Sequence, residues 1–107
     1  MQSTITNALV KKFNVDLKFD SVDIWQDTAG YYLPPHTDDA RIKLALQIYL
    51  GSDGVGTSLY DSKKNVLKTF NFKPNKGYAL LNTDVSLHGT SGRHVSGTRE
   101  SVYVRYR

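Results

Sequence analysis

The sequence predicts a mainly β fold, an antiparallel sandwich or barrel entered through one short helix. Short segments of alternating apolar and polar residues recur at even spacing after about residue 14. Clusters of Gly, Pro, Asn and Asp separate them, and helical periodicity is confined to the first dozen positions. The 107 residues suffice for one domain, with 1–14 as a helical lead-in and 15–107 as the β core.

In the lead-in, Ile5, Leu9 and Phe13 fall at i, i+4 and i+8, behind Ser3 or Thr4 as a cap. The period then becomes two. Val15, Leu17 and Phe19 alternate with polar residues, and Val22 and Ile24 repeat the pattern. The clearest strand spans 42–50, with Ile42, Leu44, Leu46, Ile48 and Leu50 on one face and Lys43, Ala45, Gln47 and Tyr49 on the other. The apolar face is expected to pack against other structure. A turn-rich loop covers 51–56, and further strands are expected at 57–60, 66–72, 78–82, 86–88 and 98–106. A Gly/Ser-rich loop over 89–97 precedes the last strand, and 91–96 is a candidate lid.

The composition excludes several functions. Cysteine is absent, so neither a disulfide nor a thiolate is available. No signal-peptide pattern and no apolar run of membrane length occur, so a cytoplasmic protein without membrane contact is expected. The net charge of +4 comes from scattered Lys and Arg interleaved with Asp. A nucleic-acid platform of basic and aromatic residues is missing; a solvated surface with a few site residues accounts better for the charge, and an anionic co-substrate would also account for part of the excess.

The chain has three histidines. His36 and Asp38 are one residue apart, and extended backbone points both to one side. His88 lies fifty residues beyond Asp38, just after an expected strand. Two imidazoles and one carboxylate make a facial metal triad with open positions, whereas a structural zinc site wants a fourth protein ligand. A lone His-x-Asp is common in surface loops. Arg99 shifts the balance: with Ser101 it shares one face of the last strand, where a guanidinium fork and a hydroxyl suit a carboxylate.

The series His36-Thr37-Asp38, His88 and Arg99-Glu100-Ser101 resembles the signature of the 2-oxoglutarate/Fe(II)-dependent oxygenase superfamily. Its surroundings resemble the prolyl-4-hydroxylase-like branch: Gly30 to Pro35 before the first ligands, Ile48-Tyr49-Leu50, and Phe72 to Gly77 ahead of Ser86-Leu87-His88. The similarity covers roughly residues 22–107. It implies a double-stranded β-helix, a jelly roll related to the cupins. It implies Fe(II) on His36, Asp38 and His88, and 2-oxoglutarate held through its far carboxylate by Arg99 with Ser101 and Tyr49. An ordinary half-buried sheet tyrosine is an equal reading of Tyr49. The implied activity is hydroxylation of a C–H substrate with O2, giving succinate and carbon dioxide, with ascorbate as a further reductant. Asp38 in place of Ala or Gly leaves no position for a halide, so hydroxylation is expected over halogenation.

Two departures stand out. Where relatives place a pocket tyrosine before the His-x-Asp pair, this chain has Trp25-Gln26-Asp27, so either Gln26 takes that contact or it is missing. Only about twenty residues precede the core, which suits a minimal enzyme, a fragment, or a sheet face covered by a partner, including a second copy. His94 is expected to be an exposed loop histidine, and Asn82 and Thr83 to line the pocket. The alternatives are a non-catalytic or truncated cupin-like binding module and a cupin using another divalent metal. The sequence does not specify the prime substrate.

Overall fold

The computed structural model describes residues 2–50, 54–94 and 98–107. Helix α1 (Gln2–Phe13) carries Lys11 and Lys12 in its last turn, where they complement the helix dipole. Asn14, at φ 54°, ends it in the left-handed conformation, and its N–H donates to the Val10 carbonyl at 2.8 Å. Seven strands follow: β1 (Phe19–Asp27), β2 (Leu44–Tyr49), β3 (Thr57–Tyr60), β4 (Val66–Phe70), β5 (Gly77–Leu81), β6 (His88–Thr90) and β7 (Arg99–Tyr106). They form two antiparallel sheets, a four-stranded one in the order β1-β7-β2-β5 and a three-stranded one in the order β4-β3-β6. This is the mainly β jelly-roll architecture.

The strand expected from Val15 begins only at Phe19, although Lys18 and Arg107 still exchange backbone hydrogen bonds of 2.7 Å. A bulge between Phe19 and Ser21 turns the apolar set from odd to even positions. Val22 and Ile24 therefore stand across from Val104 and Val102 on the outer face. Trp25 and Asp27 stand across from Ser101 and Arg99 on the inner one.

Helix α1 covers part of the outer face. Leu9 packs with Leu44, Val104 and Tyr106, flanked by Ile5, Phe13, Leu17 and Leu46. The helix does not reach the far end of the sheet, where Val22 is 47% and Ile24 72% exposed. On β2 the apolar face is the less buried of the two. Ala45, Gln47 and Tyr49 are buried between the sheets, while Leu46 and Ile48 are only half-buried.

His88 opens β6, whereas the sequence placed it at the end of a strand over 86–88. The pairing partner is the reason: Leu59 and Thr57 of β3 stand across from His88 and Thr90. The segment before His36 then crosses β6 so closely that a Cβ on Gly89 would lie 2.5 Å from the Leu33 carbonyl oxygen. Glycine alone fits there. The loop over 51–56 and the candidate lid over 91–96 lie partly outside the described residues.

Leu44, fully buried, anchors the α1 cluster. Leu44→Ala should lose about 2–5 kcal/mol of stability in urea unfolding. Ile24→Thr, at an exposed position, should change it by no more than about 0.5 kcal/mol.

Candidate metal centre

The three sequence-predicted ligands meet at one point. His36 and His88 form an isolated antiparallel bridge, with N–H to carbonyl distances of 3.0 and 2.9 Å in the two directions. Their rings lie 4.5 Å apart. Each Nδ1 sits near a backbone carbonyl, His36 at 2.9 Å from Pro34 and His88 at 3.0 Å from Ser86. With the Nδ1–H donating there, each Nε2 keeps its lone pair for the centre. Asp38 Oδ1 stands 3.7 Å from His36 Nε2 and 3.5 Å from His88 Nε2. The donor atoms of the three side chains lie within 4.8 Å of one another.

The adjacent acid is sorted out by Arg41. The side chain of Arg41 grips Asp39 at 2.9 and 3.1 Å, its backbone N–H adds a third bond, and together they hold the Asp39 carboxyl down at about 2. Asp39 faces outward and Asp38 turns to the imidazoles. Asn82 fixes this turn by donating to the carbonyls of Asp39 at 2.9 Å and Ile42 at 2.8 Å. It does not line the pocket as expected, and neither does Thr83, whose hydroxyl accepts from the Val85 N–H.

Burial pushes the Asp38 carboxyl up, but His88, His36 and Arg105 outweigh it and hold it below its ordinary range. Burial pushes the His88 imidazole down, and Asp38 and the Ser86 carbonyl outweigh that, so it is raised above the ordinary imidazole range. His88 Nε2 is buried and has no hydrogen-bond partner. A buried nitrogen aimed beside a carboxylate and a second imidazole is suited to a divalent cation.

The triad lines a cavity of about 250 Å³ between the sheets. Arg99 and Ser101 line it too, as the sequence predicted for a shared face. Gln47 spans the floor, donating to Ser101 Oγ at 3.0 Å and accepting from Tyr78 OH at 2.7 Å. Burial is the main cause that raises Tyr78 and Tyr103, so both phenols stay protonated. On the opposite side, His36 and Asp38 border an open groove edged by Thr37, Arg105 and Arg107.

Other residues depart from expectation. Tyr49 is fully buried but does not line the cavity; its hydroxyl pairs with Thr57 Oγ1 at 2.7 Å and its ring lies 5.7 Å from the Arg99 guanidinium. Gln26 is on the outer side and donates to Glu100 at 3.4 Å, and Tyr31, arriving after the strand, is one of the tyrosines that line the cavity. His94 is 2% exposed, not a surface loop residue, because its backbone pairs with Gly30 and Tyr31. Asp27, which no sequence motif marks, bonds Arg99 Nη1 at 2.7 Å, with both side chains buried. Strand alternation could have placed Asp27 on the face of Trp25, but its pairing with a residue seventy-two positions away has no local signal.

No protein-family profile matches the chain, and no curated protein does. Among solved structures, a prolyl-4-hydroxylase from Pseudomonas putida is similar at a TM-score of 0.74 and 14% identity. The match takes in 99% of this chain, which spans 62% of the hydroxylase's length. A structure from disulfide-linked pili of Bacillus endospore appendages aligns at a TM-score of 0.45 with 15% identity, over 87% of this chain and 91% of that one. No helix among the described residues is long and apolar enough to cross a membrane.

Protons and a cation compete for the same imidazoles. Asp38, held below the ordinary carboxylate range, is ionised throughout the range from pH 5.5 to 7.5, whereas His88, held above the ordinary imidazole range, keeps its proton to higher pH. Apparent Mn2+ affinity should therefore rise roughly tenfold or more across that interval in a titration followed by electron paramagnetic resonance. A flat profile would exclude imidazole ligation.

Proposed function

We propose that the chain is an Fe(II)- and 2-oxoglutarate-dependent dioxygenase, a hydroxylase acting in the cytoplasm on a C–H substrate. One observation carries this: the donors of His36, Asp38 and His88 converge on one cavity that Arg99 and Ser101 also line. The fold shared with the Pseudomonas hydroxylase supports it. Two imidazoles and one carboxylate suit Fe(II) and leave coordination positions free for a chelating keto acid and O2. When bound, iron with 2-oxoglutarate and O2 supplies the oxidation: one oxygen atom goes to succinate as carbon dioxide leaves, and the other becomes the product hydroxyl.

The protein's own part is orientation and exclusion of water. The backbone bridge of His36 and His88 and the carbonyls at both Nδ1 atoms preset the ligand geometry. Arg99 and Ser101 face the end where the far carboxylate would lie, and Tyr49 acts on it through Thr57 and by flanking the guanidinium. The open groove at Thr37, Arg105 and Arg107 gives the prime substrate, a protein side chain or a small molecule, its approach to the metal. Ascorbate would serve to keep the iron ferrous.

A non-catalytic cupin-like binding module is the second reading, and the Asp27–Arg99 pair is what favours it, because the anchor already has an anion. Anaerobic titration of the Fe(II)-loaded chain with 2-oxoglutarate separates the two. An oxygenase should develop the weak visible charge-transfer band of the chelate and, on admitting O2, form succinate. Asp38→Ala and His88→Ala should abolish both. A wild-type chain that binds metal without the band, or variants that turn over normally, would defeat the assignment.

A further inference from the structure

Arg99 is held on every side that the structure describes. Its Nε donates to the Val55 carbonyl at 2.8 Å and its Nη1 to Asp27 at 2.7 Å. The rings of Tyr31, Tyr49 and Phe72 stand 5.9, 5.7 and 5.6 Å from its Cζ. Its stem passes so close to Gly54 that a Cβ there would lie 2.9 Å from the Arg99 Cγ. Asp27 is no chance neighbour, since the β1–β7 register sets it directly across from Arg99. Both side chains are buried, Arg99 at 3% and Asp27 at 6% exposure.

This arrangement changes what an incoming carboxylate meets. A lone buried guanidinium attracts an anion as a full charge; a guanidinium paired with a carboxylate presents a dipole, and the second carboxylate repels the first. Arg105 is the other arginine along the cavity, and it is bonded to Asp23 at 3.0 Å. The cavity therefore offers no uncompensated arginine among its described residues.

Resting on the oxygenase reading above, we propose that Asp27 sets the co-substrate specificity of the cavity. Its carboxylate occupies Arg99 in competition with the far carboxylate of a bound keto acid. The preference for a dicarboxylate over a monocarboxylate keto acid is thereby narrowed. Asp27 touches the anchor and not the metal ligands, so it acts on this choice without altering the centre.

The test compares 2-oxoglutarate with 2-oxopentanoate, which has a methyl group in place of the far carboxylate. Calorimetric affinities would be measured on the Mn2+-loaded chain, wild type and Asp27→Asn, the asparagine keeping a neutral acceptor for Arg99. Wild type should favour 2-oxoglutarate by less than about tenfold, below what an unopposed charge-assisted pair supplies. Asp27→Asn should widen the ratio by about tenfold or more through tighter 2-oxoglutarate binding, with 2-oxopentanoate unchanged. An unchanged ratio, or a wild-type preference above about tenfold, overturns the role of Asp27 and leaves the oxygenase standing. If Asp27→Asn does not fold, the wild-type ratio alone decides on the same limit. Mn2+ binding with no keto acid bound by either protein overturns the oxygenase reading and this proposal together.

Discussion

The two reciprocal hydrogen bonds between the backbones of His36 and His88 are the constraint on which the site depends. They bring the segment after β1 onto β6 of the smaller sheet, and so place two imidazoles side by side. Asp38 needs no placement of its own. It follows His36 by two residues in a turn that Asn82 secures from outside. Gly89 and Thr90 keep the crossing close, one by lacking a side chain and the other by bonding the Leu33 N–H through Oγ1 at 3.0 Å. Three ligands thus come from two chain segments and one bridge.

Packing explains why the polar face of β2 is the more deeply buried. Gln47 and Tyr49 lie between the sheets because each has a hydrogen-bond partner there, Ser101 and Tyr78 for the amide and Thr57 for the phenol. The opposite face needs only apolar cover, which α1 supplies over Leu44. Around Gln47 the cavity is therefore walled by a network of satisfied polar groups. It can be buried and still offer polar atoms to a ligand.

Much of this was legible in the residues. Alternation gave β2, β3 and β7 nearly to their ends, and the i, i+4, i+8 spacing of Ile5, Leu9 and Phe13 gave α1. The convergence of His36, Asp38 and His88 was legible because short spacing and scarcity of histidine left few choices. Burial and pairing across distance were not. His94 looked like a loop residue because Gly and Ser surround it, yet backbone bonds to Gly30 and Tyr31 draw it inside. Asp27 was invisible as a partner for Arg99 because register between β1 and β7 is set by the whole sheet, including the bulge after Phe19. Tyr49 was placed on the correct face but one layer too near the ligand, since Thr57 of the other sheet intervenes.

The strand order has a consequence for how the chain is made. Among the described residues β1 pairs only with β7, although more than seventy residues separate their starts. During vectorial synthesis β1 must remain without a neighbour until residues 99–106 have emerged, with Val22, Ile24 and a row of open backbone groups accessible. The nascent polypeptide therefore carries an unprotected β-segment while everything between the two strands is made, and holding it apart from other unfolded chains falls to the cell rather than to the fold.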